Sequence, residues 1–361
     1  MKKISYLEIS SIYLAIITTF NSGINIYLLK ESANINSYLA ILIAYIIGFI
    51  PLLLTLYIAN YKSELNILEK NKNLFGNILG TIINIIFSII LFTIALTILY
   101  NTTSFITTQF MYRTPIIIIS IVLIIIIIYC VNKEINVIAH VSLLLITFNI
   151  FLFLISNISI IKEIKLDNLL PFFKINPSSF FISTLKVSCI NTLPSIIILI
   201  IPKDKITNQK KYNKSIIITY IIGMFISLIT VINTFSVLGI YLTKIFQFSE
   251  YIVLKKIKLF GFLERTENII SLKWITNAYI YITIIIYTIS KNITTKNENT
   301  PKLITYIIGI LLIILTSYIF KNESYFHNYI NNIFIYIVSC LIILYFLITS
   351  KILISKHNVN K

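Results

Sequence analysis

Apolar stretches of about twenty residues alternate with short polar ones along the whole chain. Runs such as TPIIIISIVLIIIIIYCV (114–131) and CLIILYFLITSKILI (340–354) approach or reach the ~20 residues that carry a helix across a bilayer. A window of about 19 residues places ten spans, at 8–29, 38–59, 78–101, 114–132, 136–157, 178–201, 215–240, 272–290, 302–320 and 332–352. The pattern predicts an all-α integral membrane protein of about ten transmembrane helices, with one polytopic domain over 1–361. Met1-Lys2-Lys3 and the apolar run behind it imitate a signal peptide, but no small-residue cleavage site follows, so the run reads as an uncleaved first helix.

Two connections are more than turns. Segment 158–177, ISIIKEIKLDNLLPFFKINP, mixes charge with apolar residues and two prolines, and is expected to run along the outer interface. Segment 241–273, YLTKIFQFSEYIVLKKIKLFGFLERTENIISLK, is too apolar for a solvated loop and too charged for a span. A pair of amphipathic helices on the outer surface fits it, either as a lid or as ordinary interfacial packing.

Two spans are polar where hydrocarbon should surround them. The first contains TTFNSGIN, residues 18–25. Gly23 permits non-helical dihedrals, and Asn and Ser compete for backbone hydrogen bonds. An unwound turn there exposes N–H groups and a partial positive charge suited to a carboxylate, tolerable only where protein or a cavity surrounds it. The alternative is a helix–helix contact through small and polar residues. The sixth span, SFFISTLKVSCINTLPSIIILIIP, crowds Ser188, Cys189, Asn191, Thr192, Pro194 and Ser195 into its middle, and Pro194 removes a donor. Interruptions at matching places in two five-helix halves point to a substrate site in an inverted repeat. The halves are about 1–157 and 178–352, with discontinuous helices 1 and 6. Candidate ligand-binding residues are therefore Asn21, Ser22, Gly23, Ile24, Asn25, Cys189, Asn191 and Thr192, with Thr97, Tyr100 and Asn101 of span three and Asn277 of span eight as further lining.

Composition narrows the function. Hydrophobic residues make up 57% and charged residues 12%, about half the charge of a soluble domain. The net charge of +17 lies in short loops between spans, where Lys and Arg set topology and face anionic lipid, so nucleic acid is excluded as a partner. With the long 241–273 connection left out, 17 basic residues fall on the N-terminal side against six on the other, which predicts that both termini are cytoplasmic. The three cysteines and three histidines are scattered without metal-ligand spacing, so no metal or cofactor is expected. The chain carries no intramembrane carboxylate pair, HExxH or phosphate loop, which argues against an enzyme. Lys186 reads as a snorkelling or functional lysine, His140 as a satisfied histidine or a proton-coupling one, Trp274 as an interface marker, and Gly48 with Pro51 as a kink in span two.

At FGFLERTENIISLKW (260–274) the chain resembles the Phe-x-x-Arg-x-Glu segment before the eighth helix in the B subunits of spore germinant receptors. The Gly-interrupted first span, the NLLPFF segment (168–173) and ten spans overall extend the resemblance over nearly the whole chain. It implies a branch of the amino acid–polyamine–organocation superfamily, placed in the inner membrane of the endospore. It further implies recognition of a small germinant, often an L-amino acid, within a complex containing an A subunit and a lipoprotein C subunit. Glu264, Arg265 and Glu267 then tether the lid or contact a partner; as an exposed salt-bridge cluster they would be worth little. A second glycine that often accompanies the first in the break is replaced here by asparagine and serine.

Three functions compete. A ligand-sensing receptor subunit shifts a two-state equilibrium that its partners detect; a working amino acid transporter uses the same cavity with proton or cation coupling; a scaffold with a vestigial site binds nothing.

Overall fold

The computed structural model describes residues 3–30, 33–170, 176–256, 266–293, 302–320 and 322–359, and among them regular structure is helical throughout. Eight helices are long and apolar enough to cross a membrane, and a ninth span is a pair bent by 44°. The protein is a multi-pass membrane protein.

The bent pair comes first: α1 (Tyr6–Thr18) and α2 (Ile24–Lys30). It starts at a capping box in which Ser5 and Glu8 exchange backbone and side-chain hydrogen bonds, pairing two of the donors that a helix start leaves open. A single parallel bridge from Ile4 to Ile206 holds this end to the loop before the seventh span. Helix α3 (Ser37–Asn60) is the second span. Helix α4 (Ile67–Gln109) bends at Gly76 (φ 79°, ψ 173°), so residues 67–75 lie outside the third span and 77–109 form it. The fourth, α5 (Ile116–Val131), has only 16 residues, about 24 Å of helix, because Pro115 precedes it and Asn132 caps it. Helix α6 (Ile135–Ile160) is the fifth span.

The sixth begins as α7 (Pro177–Thr192) and continues as a 3₁₀ segment, Leu193–Ile200. Helix α8 (Gln209–Ile245) is the seventh, interrupted by Gly239 (φ 71°). The short α9 (Ser249–Lys255) precedes α10 (Thr266–Ile293), the eighth. Helix α11 (Lys302–Ile319) is the ninth, and α12 (Glu323–Tyr329), a π-helical turn (Ile330–Phe334), α13 (Ile335–Ser339) and α14 (Leu341–Val359) build the tenth. Boundaries agree with the hydropathy reading within a few residues, except that the third, seventh, eighth and tenth spans run longer.

Packing follows burial rather than chain order. Helix α1 lies against α6, α8 and α10, and α3 lies against α7 and α8. Polar side chains such as Asn25, Asn84 and Asn191 lie inside, while Ile78, Ile125, Ile158 and Phe346 stand exposed, an apolar outer belt that only lipid covers without cost. Helix α3 runs unbroken, and a Cβ on Gly48 would overlap Thr192 and Tyr220, so glycine is there to admit α7 and α8.

The connection 241–273 departs from the expected surface helix pair. Helix α8 continues to Ile245, and α9 is buried, with Ser249, Glu250, Tyr251, Val253 and Leu254 all inside. Glu264 and Arg265 lie outside the described residues. The face carrying this connection is called the far face below, opposite the N-terminus.

Candidate functional site

The break in the first span is built by its own residues. Thr18 and Thr19 turn their hydroxyls back onto the carbonyls of Leu14 (2.7 Å) and Ala15 (2.6 Å). The chain tightens into a 3₁₀ turn at Thr19–Asn21, runs extended through Ser22 (φ −90°, ψ 99°) and resumes as α2 after Gly23 at φ +78°. Three backbone groups at the bend find partners on other elements. The Ile17 carbonyl accepts from Tyr45 Oη (2.9 Å), the Ser22 carbonyl accepts from Asn101 Nδ2 (2.8 Å), and the Gly23 N–H donates to Glu250 Oε1 (2.8 Å). An unwound turn inside hydrocarbon survives only with such pairing.

Asparagines then connect the broken first span to the sixth, which passes from α- to 3₁₀-helix at Leu193. Asn25, 1% exposed, donates to Asn21 Oδ1 (2.8 Å) and accepts from Asn191 Nδ2 (3.2 Å) of the sixth span. Asn21 donates to Ser227 Oγ (2.9 Å) on α8, which also meets Tyr45 Oη (2.7 Å). A second strand of the network runs through α10: Asn277 donates to Thr18 Oγ1 (3.0 Å) and accepts from Asn149 Nδ2 (2.8 Å). One atom is left over. Asn191 Oδ1 is buried without a hydrogen-bond partner, a condition that costs about 1–3 kcal/mol unless something supplies a donor.

The sixth span changes helix type beside this network. Thr192 Oγ1 donates to the Ser188 carbonyl (2.7 Å) and Ser195 Oγ to the Thr192 carbonyl (2.5 Å). Tyr345 Oη, from the tenth span, donates to the Leu193 carbonyl (3.2 Å). Pro194 supplies no N–H to the helix ladder at this point.

Of the sequence-predicted residues, the structure brings together Asn21, Ser22, Gly23, Asn25, Asn101, Asn191 and, through Thr18, Asn277. Ile24 is buried in the apolar core. The other four are not hydrogen-bonded to Asn21–Asn25. Thr97 donates to the Thr93 carbonyl on its own helix. Tyr100 joins Phe320 (4.8 Å) and Phe326 (4.5 Å) in an aromatic cluster, Thr192 fills the notch at Gly48, and Cys189 packs half-buried against the core. Glu267 sits in the first turn of α10. Tyr45, Asn149, Ser227 and Glu250 were not singled out by sequence reasoning. The first three are lone polar residues in apolar runs, and Glu250 is one carboxylate within the apolar IFQFSEYIVL.

The break is covered. Phe248 lies on Gly23 so closely that a Cβ there would fall 2.9 Å from its ring, and Phe105 meets Phe248, Tyr251 and Trp274 edge-on at 5.0–5.4 Å. A cavity of about 40 Å³ beside Thr18, Asn21, Asn149, Lys273, Trp274 and Asn277 admits about one water molecule. A far larger cavity, about 950 Å³, opens between α2, α7 and α12, with Lys30, Lys186, Gln247, Glu323, His327 and Asn331 on its walls. Asn331 ties its three sides together by donating to Tyr27 Oη (2.8 Å) and accepting from Lys186 Nζ (3.2 Å). Lys186 therefore ends on a side chain of the tenth span. His140, 65% exposed, pairs with Glu8 at 3.2 Å on the N-terminal face.

A family model described as spore germination protein matches residues 4–324. No curated protein matches the chain.

Proposed function

The chain belongs to the spore germination protein family, and from that premise we propose that it is the membrane subunit of a spore germinant receptor, binding a small L-amino acid where the first and sixth spans break. One observation carries the reading: Asn191 of the sixth span and Asn25 of the first meet at 3.2 Å inside the membrane domain, beside the unwound turn. Polar groups gathered beside an unwound turn of a membrane helix are where transporter folds place their substrate sites.

The chemistry suits an amino acid. Asn191 Oδ1, an acceptor with no donor, would take an ammonium N–H. The Gly23 N–H, now on a carboxylate of the chain itself, would serve the ligand's carboxylate once that group moves. With room for about one water, the break must open for binding. The far-face cavity of about 950 Å³ is the approach. A ligand that binds only the open form pulls the equilibrium toward it by its differential affinity. The A subunit and the lipoprotein C subunit would respond to that change, in the inner membrane of the endospore, with both termini cytoplasmic.

The five-plus-five inverted repeat is favoured by a correspondence between the halves. Residues 67–75 lie between the second and third spans on one face, and residues 240–256 lie between the seventh and eighth on the other. In the first, Lys70 Nζ reaches back to the Ile58 carbonyl (2.7 Å) at the end of α3; in the second, Lys256 Nζ reaches the Val237 carbonyl (3.3 Å) of α8.

The test is germination of spores carrying Asn25→Ala or Asn191→Ala on single L-amino acids, with membrane levels of the protein measured alongside. Loss of response at normal level is expected; an unchanged response would sink the reading. The cavity also leaves a transporter as the second reading, which uptake of the same amino acid by the isolated chain in liposomes would favour.

A further inference from the structure

Glu250 is placed where a carboxylate is hard to keep charged. It is 4% exposed. Its Oε1 accepts one hydrogen bond, from the Gly23 N–H at 2.8 Å, and its Oε2 is buried with no hydrogen-bond partner; the hydroxyl of its neighbour Ser249 is buried likewise. Among the described residues Glu250 forms no ion pair within 4.0 Å. An ionised carboxylate has about four acceptor sites to satisfy, and a buried charge needs close pairing as well as hydrogen bonds. Here only backbone N–H groups, chiefly that of Gly23, are supplied.

The same residue is part of the cover over the helix-one break. Phe248, two residues before it, lies on Gly23. Tyr251, one residue after it, packs edge-on against Phe105 and Phe110 and donates to Asn268 Oδ1 (2.7 Å). Helix α9 has seven residues, too few to hold its place by helix formation alone. Its position depends on these side-chain contacts and on the Gly23–Glu250 hydrogen bond.

We propose that Glu250 is a proton-binding site that latches the cover: with the proton bound, segment 246–255 stays docked on the unwound turn, and loss of the proton releases it. The proposal does not rest on the germinant reading, since proton and latch both belong to the ligand-free chain.

The groups facing Glu250 set the direction. Two cations face it. Lys30 on α2 directs Nζ to the carbonyls of Lys244 (3.1 Å) and Phe246 (3.4 Å); Lys273 on α10 holds Nζ over the rings of Phe153 (5.3 Å) and Trp274 (5.5 Å). The cation on α9 itself, Lys255, lies over the Tyr251 ring at 4.8 Å. Burial outweighs the backbone hydrogen bonds and both lysines, and pushes the carboxyl from 4.5 up to about 7. Undocked and in water, the group returns to the ordinary carboxylate range near 4.3. Docking therefore takes up a proton at intermediate pH. The docking equilibrium constant falls by up to tenfold for each pH unit between the two values, roughly several hundredfold in all.

Hydrogen–deuterium exchange on the full-length protein in detergent tests this. Peptides covering residues 19–30 are compared between wild type and Glu250→Gln at each pH, so that the intrinsic pH dependence of exchange cancels. Glutamine keeps an acceptor for the Gly23 N–H and does not titrate. The expected result is a wild-type to variant rate ratio that rises at least about tenfold from about pH 5 to about pH 8, while peptides from α5 keep a constant ratio. A ratio for 19–30 that stays constant overturns the proposal. The wild type alone gives a second measurement. Trp274, the single tryptophan, is 7% exposed and packs on Phe105, which in turn contacts Phe248 and Tyr251. Its emission should shift to the red as pH rises through the window from about 4.3 to about 7, and an emission that is flat across that range also overturns the latch.

Discussion

Asn191 donates to Asn25 across 3.2 Å, joining the sixth span to the first at the points where each leaves regular α-helix. Asn25 in turn donates to Asn21 at 2.8 Å, so the three amides form one chain of hydrogen bonds. Such a chain in a low-dielectric interior is worth more complete than in parts.

The pair should therefore couple. Asn25→Ala and Asn191→Ala are each expected to destabilise the detergent-solubilised protein by about 1–3 kcal/mol through unsatisfied buried partners. Thermal unfolding of the double variant should show a loss smaller than the sum of the two by at least about 0.5 kcal/mol. Strict additivity would mean the two side chains act independently.

Gly23 and Gly76 have nearly the same φ, +78° and +79°, in different surroundings. A Cβ on Gly76 meets nothing within 4 Å, whereas one on Gly23 meets the Phe248 ring at 2.9 Å. Gly76→Ala should cost only the backbone strain, about 1–2 kcal/mol. Gly23→Ala should cost more and should also expose residues 246–251 to protease. Equal melting temperatures for the two variants would contradict the docking of Phe248.

Stability should depend on pH through Glu250 with a definite sign. Its folded value is raised to about 7 from 4.5, so the folded protein binds the extra proton. Its contribution is fully present below about pH 4.5 and is lost as pH rises to about 7. The difference between wild type and Glu250→Gln should change by on the order of 3 kcal/mol across that window and level off above it. A difference that does not vary with pH would show that the group titrates normally.

His140→Ala should do almost nothing. Its imidazole is 65% exposed where it meets Glu8, and pairs open to solvent contribute about 0–1 kcal/mol. A shift in germination or in melting beyond that would restore His140 as a proton-coupling residue.

Much of this protein is decided locally. Hydrocarbon demands about twenty apolar residues per crossing and pairing of every backbone polar group. The many apolar spans, the break at Asn-Ser-Gly in the first and the change of helix type at Asn-Thr-Leu-Pro in the sixth could therefore be read directly from the chain. Tertiary structure decided the rest. The spans are rich in isoleucine on every side, as α5 is over Ile116–Val131, so no polar stripe tells which way a helix is rotated. Thr97 and Tyr100 were expected at the break, yet rotation of α4 turns Tyr100 into an aromatic cluster and leaves Asn101 on the Ser22 carbonyl. Glu250 stands 227 residues from Gly23, in a segment whose charge marked it as surface. Only docking of α9 between α8, α10 and the unwound turn gives its carboxyl the burial and the Gly23 N–H that set its chemistry.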